Sequence, residues 1–393
     1  MSELHKFIFD GLPVRGMVVR LTEAWQEILR RRAGNTATGA YPPPVRELLG
    51  EMAAAGVLMQ GNIKFNGALV LQIFGDGPIK VAVAEVQPDL SLRATATVVG
   101  EVPHAAALSQ MVNVNNQGRC AITLDPKDRL PGQQAYQGVV PLFGDRREPL
   151  EKLSDVLEHY MLQSEQLDTT LVLAADEQVA AGLLIQRLPV QGANNLGGRA
   201  TAAGSDATQA AQGPGSDASS PVADTRANED EIGLNEHYNR IAILAKSLKR
   251  EELLTLDVDT ILRRLFWEEP VLRFEPLAGE TGPRFACSCS RERVGRMIRS
   301  LGVEEAEGIL AERGHIEVGC DFCGQQYHFD PVDAAQIFTA PGAQPPVGPV
   351  VAPEIVMPNW VGCSRRSSKR RSAPVEETSH STIAPPTPFA TSR

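Results

Sequence analysis

The cysteine pattern constrains this chain more than any other feature. Four of the six cysteines form two close pairs, Cys287/Cys289 and Cys320/Cys323, joined by a charged spacer. Two short turns of this kind can bring their sulfurs to one metal ion if the spacer folds back, and four thiolates typically hold zinc in a tetrahedron. The sequence therefore predicts one Zn²⁺ per chain in the reduced protein, bound by Cys287, Cys289, Cys320 and Cys323.

The spacing within the two pairs also permits a second chemistry. Cys320/Cys323 has the two-residue gap usual in zinc knuckles, whereas a single residue separates Cys287 from Cys289. Either pair can also close a disulfide, and so small a ring would be strained and easily reduced. Two unrelated pairs of buried or free thiols are the alternative, but such tight clustering favours a shared centre. The same sulfurs can be metal ligands in one redox state and disulfides in another.

Composition and charge exclude several classes of protein. The formal net charge of −10 disfavours a general nucleic-acid binder. No stretch is apolar enough to span a bilayer, and residues 1–10 carry charges where a signal peptide needs an apolar run. We therefore expect a cytoplasmic protein, in which thiols are kept reduced and paired cysteines are more often metal-binding or redox-active than structural.

Changes in composition divide the chain, and runs of strands followed by helices indicate an α+β architecture. The linker that follows the low-complexity insert is rich in amphipathic patterns. The insert has almost no large apolar residue, and the tail is rich in proline, serine and arginine, so both are predicted to be disordered. The predicted segments are an α+β core at 1–188, a disordered insert at 189–230, a helical linker at 231–283, a zinc-binding redox-switch domain at 284–339 and a disordered tail at 340–393.

Within the core, the patterns predict helices at 22–32 and 42–58, the first capped by Thr22. A β-hairpin is predicted around the turn Gly75–Pro78, because strand-like runs flank it. The remaining predictions are strands at 92–99, 120–124 and 136–142, and helices at 150–166 and 176–188.

The linker carries apolar residues at helical intervals among many charges, which predicts short amphipathic helices. Asp257 or Asp259 could cap the last of them. Their apolar faces need a surface to lie against, either as an ordinary helical extension of the core or as a conditional element that docks and releases. In the second case they would form a client-binding surface, and the candidate residues are Ile241, Leu244, Leu248, Leu253, Leu254, Leu262, Leu265 and Phe266.

Other residues with metal or redox potential receive less specific interpretations. His315 and His328 lie near the second pair, but four cysteines already complete a tetrahedron, so we expect both to be spectators of that site. Cys120 lies in an apolar strand and is predicted to be an inert core thiol, and Cys363 in the tail to be free. The basic run at 365–371 is interpreted as a solvated patch. The nucleotide-binding, metalloprotease and hydrolase motifs are absent from the sequence, which gives no sign of an enzyme.

Between and after the cysteine pairs, the pattern predicts helices over 291–313 broken at Gly302, short strands at 315–318 and 327–329, and a helix starting at Pro331. This region closely resembles the zinc domain of the heat shock protein 33 family of redox-regulated bacterial chaperones. The resemblance rests on the runs 285–293, 314–323 and 327–330. Independent motifs in the N-terminal half resemble the same family; they are 46–51, 75–78, 136–140, 160 with 164–166, and 182–186.

The resemblance implies an ATP-independent holdase. In the reduced form the four cysteines would bind zinc, and oxidation to Cys287–Cys289 and Cys320–Cys323 disulfides would release the metal and unfold the small domain. The linker helices would then lose their packing partner and capture unfolding client proteins. The oxidised form would dimerise, with neither nucleic acid nor membrane as a partner. The low-complexity insert and the long tail depart from the family pattern.

Two other functions are compatible with the residues. One is a zinc-ribbon protein that binds nucleic acid with the help of the basic tail, although the acidic balance disfavours it. The other is a thiol–disulfide oxidoreductase that uses Cys320 and Cys323, although the βαβ surroundings typical of such an enzyme are missing.

Overall fold

The structure is a computed structural model that describes residues 1–188 and 236–339, apart from 36–37, 129–131 and 133. The predicted insert, the predicted tail, the basic run and Cys363 lie outside the described residues. Within the described part of the chain, none of the helices is long and apolar enough to cross a membrane.

The core contains nine strands and four helices among the described residues. The strands are β1 Glu3–Phe9, β2 Val14–Leu21, β3 Gly67–Phe74, β4 Ile79–Val86, β5 Ser91–Val98, β6 Arg119–Pro126, β7 Tyr136–Pro141, β8 Thr169–Ala175 and β9 Ala180–Arg187. The helices are α1 Glu23–Ala33, α2 Pro43–Asn62, α3 Leu108–Val112 and α4 Leu153–Glu165. Their order along the chain is β1-β2-α1-α2-β3-β4-β5-α3-β6-β7-α4-β8-β9.

The remainder of the described chain forms short helices and edge strands. Residues 236–246 are helical and are called α5 here. The later elements are α6 Arg250–Thr255, α7 Val258–Phe266, β10 Val271–Arg273, β11 Leu277–Ala278, β12 Arg284–Phe285, α8 Arg291–Leu301, α9 Val303–Arg313, β13 Ile316–Gly319, β14 Gln326–Phe329 and α10 Pro331–Thr339.

Two six-stranded sheets enclose α2. The first has the order β10-β1-β2-β9-β8, with β11 also paired to β1, and the second has the order β12-β5-β4-β3-β6-β7. Leu49, Met52 and Leu58 of α2 are fully buried between them in the largest apolar cluster. At Gly50 an added Cβ would lie 2.4 Å from the Cβ of Ala175, so only glycine permits this close approach of helix and sheet. Because a sheet lies on either side of it, α2 buries apolar residues in several directions, unlike a surface helix with a single apolar face.

Most of the predicted core elements are confirmed, including the hairpin of β3 and β4 around Gly75. The predicted helix over 176–188 is wrong, because Ala180–Arg187 is strand β9. This strand is covered on both faces and its side chains are nearly all buried, so the alternation that identifies a strand disappears from the sequence. The predicted cap of α1 is also wrong: the Thr22 side chain makes no cap, and Ser2 Oγ accepts from the Ala24 amide instead.

The linker helices α5, α6 and α7 lie on the outer face of the first sheet. Apart from Leu244, which is half-buried, all the apolar residues proposed for client binding are buried there. They pack on sheet residues that include Phe7, Phe9, Val18 and Leu183. Of the two predicted caps, Asp257 is the one that begins α7, since its side chain accepts from the Thr260 amide at 2.9 Å.

Arg20 on β2 anchors the end of α6 by donating hydrogen bonds to carbonyl oxygens that the helix leaves unpaired. The distances are 2.9 Å to Leu253, 2.7 Å to Leu256 and 3.1 Å to Leu254. A hydrogen bond from a charged donor contributes about 1.5–3 kcal/mol. We expect Arg20→Ala to lower the free energy of opening α6 by about 1.5–3 kcal/mol for the three bonds together. Hydrogen exchange of amides 250–256 should accelerate. Arg30→Ala, which removes an exposed arginine side chain of α1, is the control, and unchanged exchange in Arg20→Ala would contradict the anchoring role.

Glu51 on α2 makes the stability of the protein depend on pH. Burial raises the pKa of this carboxyl from 4.5 to about 8, although Arg250 at the start of α6 partly opposes the shift. A raised folded pKa stabilises the protein below pH 4.5, and this contribution is lost as the pH rises towards 8. We expect the free energy of unfolding of Glu51→Gln, relative to that of the wild type, to be about 1–3 kcal/mol higher at pH 8 than at pH 5.

Urea unfolding at several pH values measures this difference. Glu47→Gln is the matched control, because Glu47 lies one turn away on the same helix and forms an ion pair with Arg250 at 3.2 Å. Parallel stability curves for Glu51→Gln and the wild type would show that Glu51 carries no such pH dependence.

Candidate metal centre

The second cysteine pair lies in the turn between β13 and β14. The Cys320 amide donates to the Gln325 carbonyl at 2.9 Å, and the Gly324 amide donates to the Cys320 carbonyl at 2.7 Å, so the turn is closed by its own backbone. Gly324 has a φ of +73°, which glycine adopts without strain. This tight turn directs the sulfurs of Cys320 and Cys323 towards the same point.

The first cysteine pair follows directly after β12, which joins the second sheet by pairing in parallel with β5. The Ala286 amide continues this pairing by donating to the Leu92 carbonyl at 3.1 Å. Ser290 then caps α8, its hydroxyl accepting from the Arg293 amide at 3.2 Å. Cys287 and Cys289 are therefore held between an edge strand and a helix cap, both anchored by hydrogen bonds.

The four cysteine sulfurs come together, all within 4.8 Å of one another, and could hold a metal ion. The short contacts join the two pairs: Cys287 Sγ lies 3.7 Å from Cys320 Sγ, and Cys289 Sγ lies 3.3 Å from Cys323 Sγ. Sulfurs around a tetrahedral zinc ion are separated by about 3.8 Å, given Zn–S distances of about 2.3 Å. The donor set and its spacing therefore fit a four-thiolate zinc site. All four are free thiols.

The sulfurs share protons unequally. Hydrogen bonds donated by Cys320 and Cys323 lower the pKa of the Cys287 thiol, and the same sharing raises the pKa of Cys320. Arg93 on β5 also donates to Cys287 Sγ, at 3.7 Å, and is itself paired with Glu85 at 2.6 Å. A thiolate is the reactive and metal-binding form of cysteine, so these donors favour both reactivity and metal binding at Cys287.

Tyr327 on β14 donates its hydroxyl hydrogen to Cys289 Sγ at 3.1 Å. Burial, together with that sulfur, raises the pKa of Tyr327, so the hydroxyl stays protonated as a donor. Because a donated hydrogen bond withdraws charge from the sulfur, we expect Tyr327→Phe to accelerate oxidation of Cys289 by peroxide about 2- to 10-fold, the equivalent of a bond of about 0.5–1.5 kcal/mol. Mass spectrometry of alkylated peptides over a time course measures the rate.

The matched control for that prediction is Tyr136→Phe, which removes an exposed tyrosine hydroxyl remote from the sulfurs. An oxidation rate for Tyr327→Phe equal to that of Tyr136→Phe would show that the Tyr327 hydroxyl does not restrain Cys289.

The region that carries the cysteines, residues 284–339, is called the cysteine module here. Its helices break at Gly302, where φ is +96°, as predicted, and the predicted strands and final helix are also confirmed. Its own apolar cluster is small, with Val294, Ile298, Ala306, Ile316, Val318, Phe329 and Ala334 buried. So small a core contributes little folding free energy, and modules of this size usually depend on a metal or a disulfide.

The cysteine module and the linker helices lie on opposite sides of the core. Cys320, Phe322 and Cys323 pack on Val83 at the outer face of the second sheet, whereas the linker helices cover the outer face of the first. The resemblance implied that unfolding of the module would remove the packing partner of the linker helices, but that partner is the first sheet. Sequence periodicity shows that a helix face is buried but not which surface covers it.

A strap at residues 267–286 connects the two sides. It adds β10 to the edge of the first sheet through the pair Phe7 and Arg273, and it adds β12 to the edge of the second. Arg284 fixes the second attachment by donating to the Asp89 carbonyl at 2.8 Å. The strap thus joins the cysteine module to the linker helices as one continuous segment of backbone.

Comparison with protein families identifies the chain. The family model described as Hsp33 protein matches residues 2–330. The chain belongs to the Hsp33 family. A relative from Chromobacterium violaceum, named 33 kDa chaperonin, is 41% identical over 340 residues, which cover 86% of this chain and 94% of that protein. A second 33 kDa chaperonin, from Methylobacillus flagellatus, is 39% identical over 339 residues.

The fold agrees with that assignment. The Hsp33 homologue from Thermotoga maritima, whose crystal structure is known, aligns with a TM-score of 0.58 and 19% sequence identity, covering 85% of this chain and 97% of that one. The resemblance to heat shock protein 33 predicted from the sequence is confirmed, as is the α+β fold with clustered cysteines. For a member of the Hsp33 family, relatives named chaperonin favour a chaperone over the other functions considered.

Sequence reasoning identified the cysteines but missed the side chains that surround them. Arg93 and Tyr327 contact the sulfurs. The guanidinium carbon of Arg93 also lies over the ring of Phe322, 4.2 Å from the ring centroid. Arg93 is far from the cysteines in sequence, so no spacing relates them. Cys120 is buried as predicted, and burial raises its pKa to about 12, which suits an inert thiol. His315 and His328 lie away from the four sulfurs, in a separate cluster with Glu317.

Proposed function

We propose that this Hsp33 family member is a redox-regulated, ATP-independent holdase of the cytoplasm, inactive when reduced and activated by oxidation of its cysteine centre. Two features of the structure together support the proposal. Four oxidisable sulfurs gather in a module with little core of its own, while the apolar faces of the linker helices are buried elsewhere on the same chain. A chemical change at the sulfurs can then control the exposure of a large apolar surface.

In the reduced state, Cys287, Cys289, Cys320 and Cys323 would hold Zn²⁺ as thiolates. Bound zinc would supply the cross-link that keeps the two knuckles together, and such sites contribute about 10–16 kcal/mol of apparent free energy in small modules. Arg93 and Tyr327 orient two of the sulfurs by hydrogen bonds.

In the oxidised state, disulfides would join Cys287 to Cys289 and Cys320 to Cys323. With hydrogen peroxide as the oxidant, each pair of ligand thiolates would give up two electrons and form one S–S bond, and the peroxide would take those electrons together with two protons from solvent to become two water molecules. Bridged sulfurs no longer serve as thiolate ligands. Both bridges close very small loops, so they restrict the unfolded module little and stabilise its fold weakly.

Loss of the module would next release the strap and then the linker helices. With Cys287 no longer fixed, β12 would keep only its short pairing to β5, and β10 would remain as a three-residue edge strand on β1. Helices shorter than about 12–15 residues are marginal by themselves, so α6 and α7 depend on their contact with the first sheet. Their release would expose Leu253, Leu254 and Phe266 together with the sheet face beneath them.

The exposed surfaces would bind unfolding proteins through apolar contact, which needs no nucleotide. The family resemblance also implies that the oxidised form dimerises, and two released apolar faces provide a physical reason for it.

The experiment that tests the proposal compares reduced and peroxide-treated protein at elevated temperature. Light scattering of a thermally unfolding test protein measures aggregation, a chromogenic chelator measures free zinc, and alkylation with mass spectrometry measures the disulfides. We expect aggregation to be suppressed only after both bridges have formed and about one zinc per chain has been released. Equal suppression by the reduced, zinc-loaded protein would contradict the redox switch.

A further inference from the structure

The two-stranded sheet of the cysteine module carries a second cluster of potential metal ligands on its outer face. Glu317 on β13 is directly opposite His328 on β14, and the pair is part of a regular antiparallel register. His315 lies in the bend just before β13, and its Nε2 comes within 3.9 Å of a carboxylate oxygen of Glu317. Two imidazoles and a carboxylate therefore meet on one surface.

The side-chain atoms of this cluster are close enough to share one ion. One potential ligand atom from each of the three residues lies within 4.8 Å of the others. In particular, Nε2 of His315 and Nε2 of His328 each lie 3.9 Å from a carboxylate oxygen of Glu317, one on each oxygen. Ligands at about 2.0–2.2 Å from a tetrahedral ion are separated by about 3.4 Å, so side-chain movements of about 0.5–1.5 Å would bring the three ligand atoms to that spacing.

The three side chains do not satisfy one another in the way a structural cluster does. A separation of 3.9 Å is too long for a hydrogen bond between imidazole and carboxylate. The two imidazole rings lie 6.0 Å apart between centroids and are tilted by 47°, so they are not stacked. All three residues are exposed, so an ion can reach the ligand atoms directly from solvent.

This cluster is separate from the cysteine centre because strand side chains alternate. Ile316, Val318 and Phe329 point the other way into the core of the module, and Tyr327 reaches the Cys289 sulfur. Glu317 and His328 are among the outward-facing, exposed residues of the same strands. An ion bound on the outer face would therefore not compete for the thiolates.

We propose that His315, Glu317 and His328 form a second site for a divalent transition-metal ion, with water completing its coordination. Imidazole nitrogen is a ligand preferred by Zn²⁺, Ni²⁺ and Co²⁺, whereas Mg²⁺ and Ca²⁺ prefer oxygen, so the site selects the first group. Its three ligands are exposed to solvent and are neutral or singly charged, so we expect it to bind an ion more weakly than the four thiolates of the cysteine centre do. The site belongs to the reduced, folded module, since only the β13–β14 pairing brings the ligands together.

Calorimetric titration of the reduced full chain, already loaded with one zinc, tests the proposal with Zn²⁺ as the probe. We expect a further, weaker binding event of one Zn²⁺ per chain, and we expect His328→Gln and Glu317→Gln each to weaken it at least about tenfold. His104→Gln, which removes an exposed histidine on the core, is the matched control and leaves the event unchanged. Thiol titration with zinc analysis verifies that each variant keeps its cysteine centre.

A second measurement locates the ion. Co²⁺ added to the zinc-loaded protein should broaden or shift the amide resonances of 315–317 and 327–329, without the sulfur-to-cobalt charge-transfer absorption that would signal exchange into the cysteine centre. The proposal is overturned if no further event is seen, if the event persists unchanged in His328→Gln and Glu317→Gln, or if Co²⁺ perturbs residues elsewhere and leaves this hairpin unaffected. Because the test uses only the reduced protein, it is independent of any chaperone activity.

Discussion

Replacing Cys320 by serine is expected to remove tight zinc binding and to unfold the cysteine module. Cys320 is almost completely buried and its sulfur lies 3.7 Å from that of Cys287, so the variant loses one of four converging ligands. Loss of an outer-shell partner already lowers metal affinity about 10- to 100-fold, and loss of a direct ligand should exceed the upper end of that range. The module's small apolar cluster cannot compensate for it.

Competition with a chromogenic chelator measures the zinc affinity of Cys320→Ser, and far-UV circular dichroism measures the loss of helices α8, α9 and α10. Cys120→Ala is the matched control: it removes a buried cysteine of the core and should leave zinc affinity unchanged. If Cys320→Ser kept wild-type zinc affinity and helicity, the four sulfurs would not be the centre that holds the module.

Replacing Phe266 by alanine is expected to release the linker without any oxidation. Phe266 is only 2% exposed, and its ring packs edge-on against Phe9 at a centroid distance of 5.0 Å and also contacts Phe7. Truncation of a buried phenylalanine costs about 3–5 kcal/mol, which is large compared with the stability of a short docked helix. The reduced, zinc-loaded variant should therefore suppress aggregation at temperatures where the wild type does not.

Trp267→Ala provides a control one residue away. Trp267 is an aromatic residue of similar size but is 74% exposed, so its truncation leaves the docked face intact. Aggregation assays and hydrogen exchange of residues 250–266 should separate the two variants. If Phe266→Ala docked its linker as tightly as Trp267→Ala, or released it without suppressing aggregation, the linker face would not be the element that controls activity.

The cysteine centre was predictable because its ligands are close in sequence. The pairs Cys287/Cys289 and Cys320/Cys323 specify two turns, and the helical and strand patterns between them indicate that the turns return to the same place. The amphipathic linker was predictable for a similar reason, since residues such as Leu262 and Leu265 reveal a buried face through local periodicity alone.

The surfaces that meet these elements were not predictable, because contacts between distant segments leave no periodic signal. Arg93 approaches Cys287 across 194 residues, and the linker helices lie on the first sheet and not on the module. Strand β9 was mistaken for a helix because burial on both faces removes its alternation. The cluster of His315, Glu317 and His328 depends on the register between β13 and β14, which the sequence does not specify.

The central claim is that the state of the cysteine centre controls the docking of the linker helices. Hydrogen exchange with mass spectrometry, applied to the reduced and peroxide-oxidised full chain at elevated temperature, tests it most directly. The account predicts that amides of 284–339 and of 236–266 lose protection together once the two disulfides have formed, while α2 stays protected between the sheets. Continued protection of 236–266 in oxidised protein that suppresses aggregation would contradict it.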